Sequence, residues 1–396
     1  MLNQHYLDMT RAESVIRQMY MYGQSRALEV GYDNVFDFSL GNPSVKPPKE
    51  YTDSLVSLVQ EENPLLVHGY SPNAGMPQAR KAVAEDLNNR FGTSYTEKNV
   101  FMSVSAAGAL AHAFRAVITP GRDEEIITFA PFFPEYIHYV SGAGARLVVV
   151  PADLKAFQIN FEELEKRINE RTRAVLINTP NNPSGIVYST DTVQKLAAML
   201  ERKSEELGRT IYLISDEPYR EIVFEGVDAP FIAKHYDNTI ICYSYSKSMS
   251  IPGARTGYCV INTEAEGYDD FVNVCVQISR CIGHNCPPTL MQLAVSRDAG
   301  ALSDLKVYEA NRNILYKELT TLGFDIVSPG GTFYMFPKAL EEDAVAFCEK
   351  AKQFDLILVP SDSFGVKGYF RIAYCVPTEK VVRSIGAFKK LAELYK

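Results

Sequence analysis

The sequence predicts an α/β fold in which a mostly parallel, seven-stranded sheet forms a large domain, with a smaller α+β domain attached to it. From about Tyr51 to Val260, short β-branched runs alternate with helix-length stretches whose apolar residues recur every three or four positions. This alternation is typical of a parallel sheet covered on both faces by helices. After about Pro288, a long helical stretch leads into several short strands, which is α+β patterning. We expect residues 48–287 to form the large domain and residues 1–47 and 288–396 the small one.

The elements of the large domain follow from the spacing of apolar residues. The strand candidates are Val100–Val104, Glu125–Phe129, Arg146–Val150, Ala174–Asn178, Ile211–Asp216, Thr239–Ser244 and Gly257–Ile261. Between these strands, several stretches carry an apolar stripe at helical spacing, with Gly or Pro near their ends. These helix candidates are Met76–Phe91, Leu110–Val117, Phe161–Ile168 and Thr192–Leu207.

The smaller domain begins with a long helix candidate, Leu302–Leu322. The elements predicted after it are the strands Phe324–Val327, Thr332–Phe336, Leu356–Val359 and Tyr369–Tyr374, and a terminal helix from Glu379. The chain shows no internal repeat, low-complexity tract or obvious flexible linker.

Composition and charge narrow the classes of function. Hydrophobic residues make up 46% and charged residues 22% of the 396 residues, which excludes disordered, collagen-like and coiled-coil classes. The 40 Lys and Arg residues against 48 Asp and Glu residues give a net charge of −8 without a basic block, so we expect neither nucleic acid nor a membrane as partner. The first residues lack the apolar core of a signal peptide, which predicts a cytoplasmic protein. Seven cysteines, mostly in apolar runs, predict reduced thiols without a disulfide framework.

Several familiar catalytic and binding motifs are missing from the sequence. These are the glycine fingerprint of dinucleotide-binding proteins, the P-loop, the nucleophile elbow of hydrolases and the H-E-x-x-H zinc motif. Cys281, His284 and Cys286 form a C-x-x-H-x-C cluster, but no second pair of soft ligands lies nearby in sequence to complete a tetrahedral zinc site. We therefore predict that the protein holds no metal.

Polar residues follow the predicted parallel strands, where open α/β sheets place their ligands. Small residues fill Val104-Ser105-Ala106-Ala107-Gly108, between a strand and a helix, where backbone N–H groups and the helix dipole favour a phosphate. The segment from Asn178 to Gly185 contains two prolines and three asparagines, which fix a rigid loop with side-chain amides available to a cleft. Both segments suit the edge of a ligand site.

Two charged residues occupy comparable strand ends. Asp216 ends a hydrophobic strand, and a buried carboxylate needs either a cationic side chain or a cationic ligand atom as partner. Lys247 lies among hydroxyl residues after the next strand, with Arg255 eight residues further on. This arrangement is typical of a partly desolvated amine beside an anion site.

These segments resemble the motifs of the fold-type I pyridoxal-phosphate enzymes, the class I/II aminotransferases. Asn178 to Gly185, Ser215 to Tyr219 and Ser244 to Gly257 resemble N-x-P-x-N-P-S/T-G, S-D-E-x-Y and S-x-S-K-x-x-x-x-P-G-x-R-x-G in the family's order and spacing. Further similar elements are Gly41-Asn42-Pro43, His68-Gly69-Tyr70, Pro131-Phe132-Phe133 and Phe370-Arg371-Ile372. The resemblance implies the aspartate-aminotransferase fold and a homodimer with sites at its interface.

The resemblance also implies a role for each residue around pyridoxal phosphate. Lys247 would bind the cofactor covalently and then move the proton at the substrate Cα, and Asp216 would pair with the pyridine N–H. Tyr219 and Asn182 would hydrogen-bond the 3′-oxygen, and Phe133 would stack on the ring. The residues implied as the phosphate site are Ser105, Ala106, Ala107, Ser244, Arg255 and, from the neighbouring subunit, Tyr70.

The implied substrates are an L-amino acid and a 2-oxo acid, between which the enzyme would move an amino group by a ping-pong mechanism. Arg371 would grip the α-carboxylate, with Asn182 and the Gly41 backbone beside it. Arg280 is a candidate for binding a distal carboxylate. Acidic amino acids are the first expectation, followed by aromatic ones and alanine.

Other functions stay open at this point. A C–S β-lyase or a decarboxylase would use the same cofactor and fold, because fold does not fix the reaction. An aminotransferase-like ligand-sensing module is a further alternative, but the first motif, at Gly41, leaves no room for a basic DNA-binding segment ahead of it. A cofactor-free α/β protein is the remaining possibility.

Overall fold

The computed structural model describes residues 2–11, 14–283 and 287–396. The α-helices are α1 Gln4–Arg11, α2 Val15–Val30, α3 Lys49–Glu61, α4 Pro64–Val67, α5 Pro77–Phe91, α6 Ser105–Val117, α7 Tyr136–Gly142, α8 Phe161–Arg167, α9 Thr190–Leu207, α10 Tyr245–Ser248, α11 Tyr268–Ile282, α12 Thr289–Arg297, α13 Lys306–Thr321, α14 Ala344–Ala351 and α15 Thr378–Glu393. The strands are β1 Phe36–Asp37, β2 Val100–Ser103, β3 Glu125–Phe129, β4 Arg146–Val150, β5 Thr172–Asn178, β6 Tyr212–Asp216, β7 Thr239–Ser244, β8 Gly257–Ile261, β9 Tyr334–Met335, β10 Leu356–Ile357, β11 Val359–Pro360 and β12 Phe370–Ala373.

A seven-stranded sheet with the order β2-β8-β7-β6-β5-β3-β4 forms the centre of the molecule. Strands β3 to β7 pair in parallel, whereas β8 is antiparallel to both of its neighbours, β2 and β7. Residues of β5, β6 and β7 are almost fully buried because helices cover both faces of the sheet. The predicted α/β fold with a mostly parallel seven-stranded sheet is confirmed.

The large-sheet strands lie close to their predicted bounds, with one instructive difference at the end of β2. The prediction included Val104, but the strand ends at Ser103. The Ser103 hydroxyl donates a hydrogen bond to the Ser105 carbonyl at 2.9 Å, and Ser105 adopts a φ of +62°. The chain therefore turns directly into α6, and Val104 precedes the helix instead of extending the strand.

The smaller sheets differ more from the prediction. The predicted strand Phe324–Val327 is wrong: the segment is irregular, although Phe324 and Ile326 are buried. The predicted strand Thr332–Phe336 contracts to β9 because Thr332 has a φ of +62°, which an extended strand does not allow. Leu356–Val359 is divided between two sheets, since β10 pairs with β1 and β11 pairs with β12.

The two ends of the chain meet in these smaller sheets. Strand β1 pairs in parallel with β10, so the first residues join the C-terminal part of the chain. Helix α12, in contrast, packs against α3 and α5. The division at residues 48 and 288 stays a prediction. No helix in the described part of the chain is long and apolar enough to span a membrane.

Candidate active site

A cavity opens at the carboxyl ends of β5, β6 and β7. The predicted site residues that line it are Gly41, Ser105, Ala106, Ala107, Phe133, Asn182, Asp216, Tyr219, Ser244, Lys247, Arg255 and Arg371. Residues more than 300 positions apart in the chain therefore share one cavity.

The strand order explains why these residues meet. Because β5, β6 and β7 are neighbouring parallel strands, their last residues Asn178, Asp216 and Ser244 lie at one edge of the sheet. The Asn178 side-chain amide donates to the main-chain oxygen of Asp216 at 2.8 Å, and its oxygen accepts from the backbone N–H of Asn182 at 2.7 Å. Asn178 thereby ties the asparagine- and proline-rich loop to the next strand.

Lys247 lies in the short helix α10, which follows β7 directly. The Ser244 hydroxyl oxygen accepts a hydrogen bond from the backbone N–H of Ser246 at 3.1 Å and so fixes the start of this helix. The Lys247 Nζ donates to the carbonyl oxygen of Gly41 at 2.6 Å and lies 5.4 Å from the centre of the Phe333 ring. Burial lowers the pKa of Lys247 to about 8, so roughly a tenth of the amine is neutral at pH 7, far more than for an ordinary lysine.

Asp216 is buried and has no cationic side chain as partner in the described part of the chain. Its Oδ2 accepts a hydrogen bond from the Tyr136 hydroxyl at 2.5 Å, whereas its Oδ1 is buried without any partner. Burial raises the pKa of Asp216 to about 7, and the bond from Tyr136 opposes that rise. A buried carboxylate oxygen in this state is suited to an N–H donor on a ligand.

The N-terminus of α6 forms one wall of the cavity. Arg255 donates to the Ser105 hydroxyl oxygen at 2.6 Å and to the carbonyl oxygen of Pro252 at 3.0 Å. A Cβ at Gly257 would overlap the Tyr243 carbonyl oxygen and the Ser105 backbone, so glycine allows β8 to approach this turn. The first N–H groups of a helix have no partners within it, so an exposed guanidinium beside them creates an anion site.

Arg371, on β12, closes the opposite wall and is only 2% exposed. Its Nη1 donates to the Asn182 side-chain oxygen at 3.1 Å, its Nη2 donates to the Ser39 carbonyl at 2.5 Å, and its Nε has no partner. The guanidinium carbon lies 4.7 Å from the Tyr334 ring centre. A buried cation without a carboxylate partner is suited to a ligand carboxylate.

Three aromatic residues complete the walls of the cavity. The Tyr219 hydroxyl donates to the Tyr334 hydroxyl oxygen at 3.2 Å, and both side chains are buried. The position of Tyr334 also requires glycine at position 41, because a Cβ there would overlap the Tyr334 hydroxyl. Phe133 is half-buried, with its ring 5.7 Å from that of Tyr136 at an interplanar angle of 86°.

Two candidate residues lie elsewhere. The Tyr70 side chain is fully exposed and lines a separate surface depression with Pro287 and Thr289. Arg280 is exposed on α11, where it donates to the Gln277 side chain at 2.8 Å. His284 and Cys286 of the C-x-x-H-x-C cluster lie outside the described residues, and within the described ones no group of three His, Cys, Asp or Glu side chains could hold a metal.

The cavity also contains residues that sequence reasoning did not assign. Asn178 belongs to a motif that was recognised, so its position at the strand end could have identified it. Tyr334 and Ile16 come from elements with no recognisable site motif, so only the fold reveals their role. Tyr136 contacts Asp216 from behind the cavity, three residues after Phe133.

Comparisons with known proteins agree with this geometry. Residues 33–388 match the family model described as aminotransferase class I and II. The chain is 27% identical to an aspartate aminotransferase of Thermotoga maritima, covering 94% of this chain and 95% of that protein. It is 27% identical to aromatic-amino-acid aminotransferase 2 of Thermococcus litoralis, covering 96% and 95% of the two chains. The crystal structure of an aminotransferase from Eubacterium rectale is similar with a TM-score of 0.97 and 46% identity, over 100% of this chain and 99% of that one.

Proposed function

The chain belongs to the class I and II aminotransferases, and on that premise we propose a role for each of its cavity residues. The protein is a pyridoxal-phosphate-dependent enzyme that transfers the amino group of an amino acid to a 2-oxo acid. The observation that carries our assignment is the presence, in one cavity, of an amine with a lowered pKa and a buried carboxylate oxygen without a partner. Lys247 is the covalent attachment residue, and Asp216 is the partner of the ring nitrogen.

The cavity residues fit the cofactor. Asp216 Oδ1 lacks the N–H donor that a protonated pyridine supplies, and Arg255 with the α6 N-terminus provides a cationic end for the phosphate. Ala106 and Ala107 are small, so their backbone N–H groups stay accessible to phosphate oxygens. Tyr219 and Asn182 offer a hydroxyl and an amide to the 3′-oxygen, Ser244 adds a hydroxyl, and Phe133 offers a ring face.

The chain's own residues then handle the substrate and its proton. Bound pyridoxal phosphate supplies an electron sink for the bond broken at the substrate Cα. Arg371 binds the α-carboxylate through its guanidinium, with Asn182 and the Gly41 backbone beside it, and so orients the Cα–H bond. The Lys247 Nζ, whose pKa of about 8 makes its neutral form accessible near neutral pH, accepts that proton and returns it.

The finer identity of the substrates and the assembly are also proposals. Acidic amino acids are the first candidates, supported by the relatives that are named aspartate aminotransferases, and aromatic ones follow. The active unit is a cytoplasmic homodimer in which Tyr70 of the partner subunit completes the phosphate site. The full exposure of Tyr70 in the single chain supports this, because the hydroxyl is available to a second subunit.

A half-reaction screen tests the proposed reaction and its substrate order. The holoenzyme is mixed with one amino acid at a time, and pyridoxamine phosphate and the released 2-oxo acid are quantified by mass spectrometry. We expect stoichiometric pyridoxamine phosphate, formed fastest from aspartate or glutamate. Release of pyruvate and ammonia without pyridoxamine phosphate would indicate a β-lyase, and faster conversion of aromatic amino acids or alanine would reverse the substrate order.

A further inference from the structure

The two oxygens of Asp216 have different surroundings. Oδ1 is buried without a partner, whereas Oδ2 accepts a 2.5 Å hydrogen bond from the Tyr136 hydroxyl. The Asn178 amide is 3.5 Å from the same Oδ2, which is a much weaker contact. Asp216 is 5% exposed and Tyr136 only 1% exposed, so bulk water does not compete for the hydrogen bond between them. The phenol is therefore the main support that the carboxylate receives from this chain.

Tyr136 is held rigidly and does not line the cavity itself. It is the first residue of α7, and its backbone N–H donates to the Phe133 carbonyl at 3.1 Å. Its ring belongs to the apolar cluster that includes Phe132, Val140 and Phe364. Because the ring is fixed and its hydroxyl donates to Asp216, the polar effect of Tyr136 on a ligand passes through that carboxylate, whereas its ring contacts the cavity only through the edge-on contact with Phe133 among the described residues.

We propose that Tyr136 is a positioning residue that keeps the Asp216 carboxylate ionised and turns its Oδ1 toward the cavity, so that the proton shared with the cofactor's ring nitrogen stays on the nitrogen. The inference rests on the proposed role of Asp216. A carboxylate and a ring nitrogen can share one proton in two ways, and only the arrangement with the proton on nitrogen gives the ring its positive charge. A donor to Oδ2 stabilises the ionised acid and thus that arrangement.

The groups around Asp216 support this direction. Burial raises the pKa of the carboxyl to about 7, the negative charge of Glu217 raises it further, and the Tyr136 hydrogen bond lowers it. Burial also raises the pKa values of the other titratable groups nearby, Tyr139, Tyr219 and Cys242, so these remain neutral. The pKa of Tyr136 itself is raised well above its usual value, so its hydroxyl keeps its proton and donates.

The first experiment uses the cofactor-free protein and the variant Tyr136→Phe, which removes one hydroxyl. The titration of Asp216 is followed by carbon-13 NMR with labelled aspartate, and the signal is assigned with Asp216→Asn. The matched control is Tyr236→Phe, since Tyr236 is also buried and donates its hydroxyl to the Ile211 carbonyl at 2.7 Å, away from the cavity. We expect the Asp216 midpoint to move to higher pH in Tyr136→Phe and to stay in place in Tyr236→Phe.

The second experiment uses the holoenzyme loaded with pyridoxal phosphate labelled with nitrogen-15 in the ring. In Tyr136→Phe we expect the nitrogen signal to move toward that of an unprotonated pyridine, and the cofactor dissociation constant to rise about tenfold, as expected for the loss of a hydrogen bond to a charged group. Incorporation of 3-fluorotyrosine at position 136 gives a more acidic donor. It should move the Asp216 midpoint to lower pH, even if Tyr136→Phe folds poorly.

Distinct outcomes separate this inference from the proposed function. An unchanged Asp216 midpoint and an unchanged nitrogen signal in Tyr136→Phe would overturn the role of Tyr136 and leave the role of Asp216 intact. If Asp216→Asn itself left the nitrogen signal of the loaded enzyme unchanged, Asp216 would not contact the ring nitrogen. The proposed function of Asp216 and the inference about Tyr136 would then fail together.

Discussion

Asp216 and Glu217 are adjacent, equally buried carboxylates at the end of β6, and their surroundings differ in one decisive way. Glu217 Oε2 accepts from Arg220 Nε at 2.6 Å, and the Arg220 guanidinium lies 4.5 Å from the Tyr243 ring centre. Asp216 has only the neutral hydroxyl of Tyr136 and the distant amide of Asn178. Each carboxylate has one oxygen without a partner, so the compensating cation distinguishes them, not the open oxygen.

Two adjacent acidic residues thus have different surroundings: those of Glu217 suit a structural role, and those of Asp216 suit ligand binding. Arg220 supplies the positive charge that compensates Glu217, so the turn after β6 needs no charge from a ligand. On the Asp216 side, the opposite charge is missing from the described residues, and it must come from a ligand if the acid is to stay ionised. Lys247 and Arg371 show the same pattern with the sign reversed, since Lys247 is half-buried, Arg371 is buried, and neither has an acidic partner among the described residues.

The most direct test of the contrast between Asp216 and Glu217 is to replace each acid by its amide. We expect Asp216→Asn to slow Cα proton abstraction by a factor on the order of a thousand, because the positive ring loses its anion. Glu217→Gln keeps the shape of its side chain and should change the rate far less. Single-turnover kinetics with deuterated amino acid measures this step. Equal rate losses in the two variants would show that the two carboxylates do not differ in function.

The next test concerns Arg371, the buried cation on the opposite wall of the cavity. We expect Arg371→Leu to lower kcat/KM for amino acids and 2-oxo acids by roughly a hundredfold, because a charged hydrogen-bonded pair to the substrate carboxylate is lost. Cofactor affinity should change little. The control substrate is an amine of the same side chain without the carboxylate. If this amine lost as much activity as the amino acid, Arg371 would be a structural residue.

Tyr70 tests whether the site is completed from outside the chain. We expect Tyr70→Phe to weaken cofactor retention by roughly tenfold to a hundredfold, which corresponds to a hydrogen bond to a charged phosphate. Tyr70→Phe subunits, at a cofactor concentration too low to load them, are then mixed with inactive Lys247→Ala subunits under conditions that allow exchange, which gives one site with both native residues. Recovered activity would indicate sharing between subunits. No recovery despite proven exchange would place Tyr70 outside the partner's site.

We expect the smallest effect on activity from a substitution of Arg220, the ion-pair partner of Glu217. Arg220→Met breaks a buried pair, and leaving Glu217 uncompensated should lower the free energy of unfolding by about 3 to 5 kcal/mol. The single-turnover rate of the folded variant should stay within about tenfold of the native rate, since Arg220 touches no cavity residue that we assign to catalysis. Denaturant unfolding and rapid kinetics give both values. A large rate loss at normal stability would contradict the structural role of the Glu217–Arg220 pair.

Much of this organisation is readable from the sequence, and the reason is physical. A strand buried on both faces is a nearly continuous apolar run, so β3, β7 and β8 have the predicted bounds. Site residues at the end of such strands or shortly after them, such as Asp216 and Lys247, could be located from the same runs. The family resemblance added their roles.

The parts that sequence reasoning missed depend on contacts between distant segments. The two-residue strands β9 to β11 exist because of their partners and carry too few residues for a pattern. Tyr334 reaches the cavity only because Gly41, nearly 300 residues earlier, leaves space for its hydroxyl. Tyr136 shows no motif of its own, and its bond to Asp216 joins two elements 80 residues apart.

The central claim is that Lys247, the half-buried amine that shares the cavity with Asp216, carries the cofactor. Reduction of the holoenzyme with borohydride, tryptic digestion and mass spectrometry test it directly. Modification of Lys247 blocks cleavage at that residue, so we expect the cofactor on a single peptide spanning residues 235–255, and none on this peptide in Lys247→Ala. Stoichiometric labelling of any other lysine, with an unmodified peptide ending at Lys247, would contradict the account.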